Sequence, residues 1–209
     1  MTGFSNNDTL NKLKSKVAFD LSYILLISIS GVLAAVALLT SSVPVLIGSM
    51  VVAPTLPPLA LISIALFNRE FNLVWKGAWI VTAGLLIAVL SAILTTWLMN
   101  ITNVLPPGTN LLQKPLLEER VHPGWFSVVA AFAAGIAGMI ATVDEKVDAL
   151  VGVVSALALV PAAAAGGIAL ISRDPSKSLG GFGLLGINIA LIILTGYITL
   201  LFYKSKKQD

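Results

Sequence analysis

Residues 48–66 read GSMVVAPTLPPLALISIAL, an apolar run in which three prolines stand near the middle. A membrane-spanning helix needs about 20 apolar residues, and this run approaches that length. A proline lacks the N–H of a helical hydrogen bond and its ring clashes with the carbonyl four residues back, so Pro54, Pro57 and Pro58 exclude one straight helix. In hydrocarbon, broken backbone is tolerated only where protein buries it or where it lines a cavity. The run therefore predicts a broken membrane helix.

The composition of the 209-residue chain is typical of an integral membrane protein. Hydrophobic residues make up 57% of the chain and charged residues only 11%, whereas soluble domains carry about 25% charged residues. Cysteine is absent and His122 is the single histidine, which excludes disulfide frameworks, thiolate metal sites and sites with two histidines. We expect no metal and no cofactor. The net charge of +3 comes from lysines clustered at both ends and does not indicate nucleic-acid binding.

Six apolar segments predict an all-α membrane protein with six transmembrane helices. The first segment has twenty residues, and as a helix it would span about 30 Å, the thickness of one bilayer core. Lysines ahead of this segment are also compatible with a cleaved signal peptide, but the apolar run is longer than a signal core. The predicted spans are residues 21–40, 43–67, 73–99, 125–142, 149–171 and 179–203.

Polar segments divide the chain into five parts. At the N-terminus, Leu10, Leu13 and Val17 share a helical face, which favours either a short amphipathic helix on the cytoplasmic membrane surface or a partly disordered tail. Two groups of three spans follow, separated by a long extracytoplasmic linker, and a basic cytoplasmic tail ends the chain. The five parts are residues 1–20, 21–99, 100–124, 125–203 and 204–209.

The two groups of spans repeat one another at an offset of 104 residues. Without gaps, residues 46–69 and 150–173 share eight identities in 24 positions, with Gly48 on Gly152 and Pro57 on Pro161 among them. The offset places spans one to three on spans four to six. Because three is odd, the two groups must cross the membrane in opposite senses. The sequence thus predicts two inverted three-helix repeats with helices 2 and 5 broken at prolines, an arrangement common in secondary transporters.

The distribution of lysine and arginine predicts that both termini are cytoplasmic. In this orientation the inner segments hold nine of these residues and the outer segments four. Cytoplasmic loops carry the excess of positive charge in most membrane proteins. We therefore expect a multi-pass protein of the cell membrane whose linker at residues 100–124 lies outside.

The two proline breaks are the predicted binding site. Freed carbonyls coordinate cations, and the N-termini of half-helices attract anions. The alternative is a structural kink whose freed groups are satisfied by neighbouring helices. The candidate substrate-binding residues are Gly48, Ser49, Pro54, Thr55, Pro57, Pro58, Gly152, Ser155, Pro161 and Asn188.

Charged residues are absent from the middle of spans two and five, which argues against a carboxylate-driven proton antiporter. Recognition by backbone and small polar groups is favoured instead. Asn188, deep in span six, either lines a path or makes an interhelical hydrogen bond. Asp144 and Asp148 share a helical face at a predicted cytoplasmic mouth, although charge facing water at a helix start explains them more simply.

These motifs resemble the family catalogued as domain of unknown function 389, over about residues 22–203. The first matching motif runs through residues 48–50 to Pro54 and Pro58, and the family pattern has glycine where Pro57 stands. The resemblance implies the membrane architecture and does not imply an established activity.

The second matching motif runs from Gly152 to Pro161, followed by Ala162 where the family usually has another proline. Asn188 matches an asparagine typical of the last span. Many members carry an additional soluble domain, for which we expect no room in these 209 residues.

Two functions fit this pattern. The duplicated break favours a transporter-like or channel-like protein for a small solute or ion, with the site between the two broken helices. The alternative is a non-transporting membrane scaffold or regulator, since the glycine- and alanine-rich faces of spans four and six suit helix packing. In either case the expected partners are the lipid bilayer and further copies of the chain. An enzyme is not expected, because the spans contain no nucleophile–base pair and no metal-ligand cluster.

Overall fold

The computed structural model describes residues 6–104, 114–122, 124–144, 159–172 and 174–205. The predicted all-α class is confirmed, since these residues form helices joined by short turns and no strand occurs among them. The helices are α1 (Asn6–Lys16), α2 (Leu21–Thr40), α3 (Val43–Val52), α4 (Leu56–Phe67), α5 (Phe71–Ile101), α6 (Pro115–Val121), α7 (Trp125–Asp144), α8 (Leu159–Ile171) and α9 (Pro175–Ser205).

Three of the described helices, α2, α5 and α9, are long and apolar enough to cross a membrane. The pair α3 and α4 meets the same criteria together but is bent by 53° at the break between them. The described residues thus give three or four candidate spans where the sequence predicts six. Apolar but shorter helices stand at the fourth and fifth predicted positions, over Ser127–Val143 and Leu159–Ile171.

The long helices expose continuous apolar faces. On α5, Leu86, Leu90 and Leu94 are 58%, 63% and 60% exposed, and their spacing of four residues puts them on one side. A contiguous apolar surface of this kind is rare on soluble monomers and suits contact with lipid. These faces mark the chain as a membrane protein.

The core of the molecule is formed by the two short helices α4 and α8. Residues 58–65 of α4 and residues 159–169 of α8 are all buried. Each of these helices packs against both α5 and α9. Their apolar side chains suit this position, because a helix that is apolar on every side has no face to give to water.

The helix bounds recur at the offset seen in the sequence. Adding 104 to the bounds of α2 gives residues 125 and 144, the bounds of α7. The same addition to the bounds of α5 gives residues 175 and 205, the bounds of α9. Helices α2, α4 and α5 of the first half therefore have counterparts among the described helices of the second half, whereas the residues equivalent to α3 lie outside the described ranges.

The close approaches between helices recur at the same offset. A Cβ placed on Gly31 of α2 would lie 2.5 Å from the carbonyl oxygen of Ala88, and one on Gly135 of α7 would lie 2.9 Å from that of Ile192. Both glycine and partner are shifted by 104 residues. The α2–α5 and α7–α9 crossings are therefore equivalent, and each depends on a missing side chain.

The contacts of the two short helices, α4 and α8, also recur at the offset of 104 residues. Gly77 of α5 faces the carbonyl oxygen of Pro58, and Gly181 of α9 faces that of Ala162, again 104 residues further on. Contacts between the halves also correspond, since α4 meets α9 near Ile193 and α8 meets α5 near Val89. Helices α4 and α8 thus each pack against both long helices, α5 of the first half and α9 of the second half.

The structure adds detail to the two polar segments. In the N-terminal segment, Leu10, Leu13 and Val17 are buried, and α1 packs on α4 rather than presenting this face to a membrane surface. Lys14 Nζ lies 3.4 Å from Glu70 Oε2 at the start of α5. The linker contains helix α6, which the sequence analysis missed.

Candidate functional site

The break between α3 and α4 is produced by Pro54. The residue before a proline is pushed out of the helical region, and Ala53 accordingly has φ −69° and ψ 118°. Pro57 and Pro58 have a different role from the predicted one, because they occupy the first turn of α4, where proline needs no helical partner. One proline ends the first half-helix, and the other two begin the second.

The break presents more hydrogen-bond acceptors than donors. The carbonyls of Met50, Ala53 and Pro54 lack their helical partners, because the residue four positions later is in each case a proline. A helix N-terminus ordinarily offers four free N–H groups to an anion, but Pro57 and Pro58 carry none. The geometry therefore suits a cation or a hydrogen-bond donor better than an anion.

Thr55 is the side chain that distinguishes this break. It occupies the N-cap position of α4 with 1% of its surface exposed, yet its hydroxyl makes no capping bond. Among the residues that the structure describes, Thr55 Oγ1 has no hydrogen-bond partner. A buried polar group without a partner costs about 1–3 kcal/mol. The fold thus tolerates an unfavourable group at the point where the helix is broken.

The other hydroxyls near the break serve packing. Ser49 is fully buried and donates to the carbonyl of Leu46 at 2.7 Å, while its own carbonyl accepts a hydrogen bond from Ser30 at 2.6 Å. Ser63 donates to the carbonyl of Ile193 at 3.2 Å, across the interface between the halves. These hydrogen bonds fix α3 on α2 and α4 on α9.

The remaining predicted site residues are not all assembled here. Gly48 is half-buried on α3 with open space beside it, and Pro161 is buried in the first turn of α8. Gly152 and Ser155 lie outside the described residues, and so does the predicted break of helix 5. Asp148 and the side chain of Asp144 also lie outside them.

Asn188 belongs to the interface between α7 and α9. It is fully buried, and it lies four residues before Ile192 and seven before Thr195, on the same face of α9. Ile192 and Thr195 are the residues of α9 nearest to Gly135 of α7. A role of Asn188 in the site at the α3–α4 break stays a prediction.

Within the residues that the structure describes, no three histidine, cysteine or acidic side chains come close enough to hold a metal ion. The oxygen atoms that these residues offer at the break include the released backbone carbonyls and the hydroxyl of Thr55.

Comparison with known sequences gives two matches. The family model described as "Domain of unknown function (DUF389)" matches residues 50–194, which include Thr55 and Asn188. A protein of Methanocaldococcus jannaschii, described as "Uncharacterized protein MJ0678", is 26% identical over 174 residues, which cover 83% of this chain and 52% of the relative. The chain thus spans about half the length of that relative. No solved structure matches the chain.

Proposed function

The chain belongs to the DUF389 family, whose function is unknown, and on the geometry of the α3–α4 break we propose that it moves a small solute or ion through the membrane. The motif resemblance is thereby confirmed at the level of the family. The observation that carries the proposal is the buried, unpartnered hydroxyl of Thr55 beside carbonyls that prolines have released. A transported species with hydrogen-bond donors, or a cation, would satisfy these oxygens while it passes.

The proposed architecture has six crossings in two inverted three-helix repeats. The recurrence of helix bounds and of glycine crossings at an offset of 104 residues supports it. In transporters of this kind, the site lies where broken helices of the two repeats face each other near the membrane midplane. Here the α3–α4 break would face the segment that precedes α8.

The proposed movement is a rocking of one half against the other. Inverted-repeat transporters alternate in this way around a fixed site. The surfaces that would slide are the α4–α9 and α5–α8 contacts, which meet near Ile193 and Val89. Ser63 makes one hydrogen bond across the first of them, and Gly167 presents no side chain at the second.

We propose that both termini lie in the cytoplasm, on the nine-to-four distribution of positive residues. The chain contains no cysteine, so single cysteines report their side directly. Asn11 and Asn103 are both exposed. In intact cells, a membrane-impermeant maleimide should label Asn103→Cys and should reach Asn11→Cys only after permeabilisation. Equal labelling of both without permeabilisation would contradict the inverted topology.

A non-transporting, oligomeric membrane protein is the second candidate. The small residues of α7 support it less than the sequence suggests, because Ala131, Ala134 and Gly135 are buried within the chain. Gly183 and Gly186 of α9 favour it, since both are exposed with open space beside them. Exposed glycines let a second helix approach closely in a membrane.

The decisive experiment is flux in liposomes with the Thr55→Val variant. Valine keeps the shape of threonine and removes the unpartnered hydroxyl, so the variant should fold at least as stably as the parent. Flux of the transported species, found in a panel of ions and neutral solutes, should fall about tenfold, because one hydrogen bond in a dry site is lost.

The matched control is Thr96→Val. Thr96 is also buried, but its hydroxyl donates to the carbonyl of Ala92 at 2.8 Å within α5. Flux in this variant should equal that of the parent. A panel without flux, or equal flux in Thr55→Val and the parent, would remove the transport proposal and leave the second candidate.

A further inference from the structure

A cavity of about 670 Å³ lies between the α4–α5 turn and the surface of α9. Its walls are apolar, with Leu66 and Phe71 on one side and Ile193 and Leu194 on the other. Arg69 is the one charged side chain among the described residues that line it. This combination of one cation and hydrocarbon walls is not used by the proposed transport path.

Arg69 is well placed to receive an anion. It is exposed in the turn that follows α4, with φ 58°. The neighbouring carboxylate of Glu70 is engaged by Lys14 at 3.4 Å, which offsets its charge. A guanidinium forms bidentate hydrogen bonds with a phosphate, and basic pockets between membrane helices are typical sites for lipid headgroups.

The apolar part of the cavity follows α9 away from Arg69. From Tyr197 to Ala190 is seven residues, or about 10 Å of helix. Gly186 and Gly183 continue the same side of α9 with open space beside them. The length of α9 from Tyr197 to Gly183 is about 21 Å, which exceeds the roughly 15 Å of one bilayer leaflet.

The equivalent face of α5 carries larger side chains. At an offset of 104 residues, Ala190 corresponds to Leu86, Gly186 to Thr82 and Gly183 to Trp79. Leu86 and Trp79 are 58% and 66% exposed, so they project from the corresponding surface. The small residues of this face are therefore a feature of α9 that the repeat does not share.

We propose that this groove binds one anionic phospholipid of the surrounding bilayer, with its phosphate on Arg69 and an acyl chain along α9 between Tyr197 and Gly183. The amphipathic ring of Tyr197 suits the boundary between headgroup and chain. The proposal is independent of transport, since it uses none of the residues at the break.

The test is lipid-dependent thermal stability of the full chain in detergent. Phosphatidylglycerol should raise the unfolding midpoint more than phosphatidylcholine with the same acyl chains. In Arg69→Gln the apparent affinity for phosphatidylglycerol should fall about tenfold, as expected for the loss of a charge-assisted hydrogen bond. Ala190→Trp, which fills the groove, should have the same effect.

Two matched variants separate this site from general lipid contact. Lys76 is another exposed cation near the start of α5, and Leu86 is the repeat counterpart of Ala190. Lys76→Gln and Leu86→Trp should bind phosphatidylglycerol as the parent does. Equal stabilisation by both lipids, or equal losses in Arg69→Gln and Lys76→Gln, would overturn the proposal.

A second copy of the chain is the competing occupant. Ala190→Cys introduces the chain's only thiol in the groove. Under oxidation in phosphatidylglycerol-containing membranes it should stay monomeric on a denaturing gel. Efficient disulfide-linked dimers would assign the groove to a neighbouring copy and overturn the lipid proposal. If Ala190→Trp does not fold, Arg69→Gln and this cross-linking still decide the question.

Discussion

The two short helices α4 and α8 occupy equivalent positions in the two halves of the chain but differ in polarity. Both are buried on all sides, and both are held by glycines of a long helix at corresponding points. At the offset of 104, however, Thr55 corresponds to Leu159 and Ser63 to Gly167. The backbone crossings are thus shared, while these two hydroxyl groups belong to α4 and have no equivalent in α8.

The two halves of the chain therefore share their helix packing but differ in the polar groups that they carry. Glycine crossings allow the same packing in both halves without requiring any particular polar group. Among the described residues, α4 therefore offers hydroxyl groups where α8 offers apolar side chains and glycine. A small ligand held between such surfaces has one favoured orientation, because only one of them can satisfy its donors.

The helix starts differ in the same way. Asp174 caps α9, accepting hydrogen bonds from Ser176 Oγ at 2.7 Å and from the backbone N–H of Lys177 at 3.1 Å. Glu70 is its counterpart ahead of α5, but its side chain makes no capping bond and pairs with Lys14 instead. Glutamate has one methylene more than aspartate, and the side chain of Glu70 forms an ion pair with Lys14 of α1 where that of Asp174 forms a local cap.

The shared crossings can be broken at Gly31 and Gly135. Alanine at either position brings Cβ within 2.5 Å or 2.9 Å of a backbone oxygen, which cannot move aside cheaply. We expect each variant to lose about 1–3 kcal/mol of unfolding free energy, as overpacking does. Reversible denaturation in mixed micelles measures this loss.

Gly48→Ala is the control for the crossing variants, since no atom lies within 4 Å of its Cβ position. Alanine is a better helix former than glycine by about 1 kcal/mol, so this variant should be neutral or more stable. If Gly48→Ala and Gly31→Ala lost equal unfolding free energy, the close approach at Gly31 would not explain the loss.

The difference in polarity is tested by Leu159→Thr. Leu159 is fully buried at the position that corresponds to Thr55. A hydroxyl there removes apolar contacts and adds a buried polar group, so the variant should lose about 2–4 kcal/mol. Unchanged stability, measured alongside Thr55→Val, would mean that the second half also accommodates a hydroxyl.

Ser63→Ala probes the contact between the halves. It removes the hydrogen bond to the carbonyl of Ile193 and leaves the packing of α4 largely intact. The expected loss is about 0.5–1.5 kcal/mol, typical of one hydrogen bond. Ser28→Ala is a suitable comparison, because its hydroxyl bonds only within its own helix, to Ile24 at 2.7 Å. A larger loss in Ser28→Ala would contradict a role of Ser63 between the halves.

The smallest effect is expected at Asp174. Hydrogen bonds from the Ser176 hydroxyl and the Lys177 backbone N–H lower the pKa of this carboxyl. Because the folded-state pKa is depressed, the stabilisation is present above the ordinary value of about 3.9 and is lost as the pH falls through the lowered one. Asp174→Asn keeps a capping side chain without the charge.

The difference in unfolding midpoint between Asp174→Asn and the parent should therefore shrink as the pH is lowered from 7 to 3. Glu70→Gln is the counterpart measurement, and there the expected loss is the ion pair with Lys14. A constant difference at Asp174 over this range would exclude the charged cap.

Much of this fold follows from apolar run lengths. The first predicted span coincides with α2, and the second begins and ends where α3 and α4 do. The role of each proline did not follow, because it depends on where α4 begins. Helix α6 was missed, since its seven residues lie in a polar linker and are held by burial of Leu117 and Val121.

The candidate site was predictable only in outline. Sequence alone placed Thr55 at a break but could not show that its hydroxyl lacks a partner. The direction of Asn188 depends on the rotation of α9, which the close approach at Gly135 determines. Tertiary packing sets the rotation of a helix about its axis, so composition and residue spacing do not predict it.

The burial of α4 beneath α9 also governs how the chain is made. Ser63 and its partner Ile193 are 130 residues apart, so the first half leaves the ribosome long before its cover exists. During that interval the face of α4 that will pack against α9 has no partner. Synthesis of α9 supplies it, so the burial of α4 is completed only when the second half of the chain has been made.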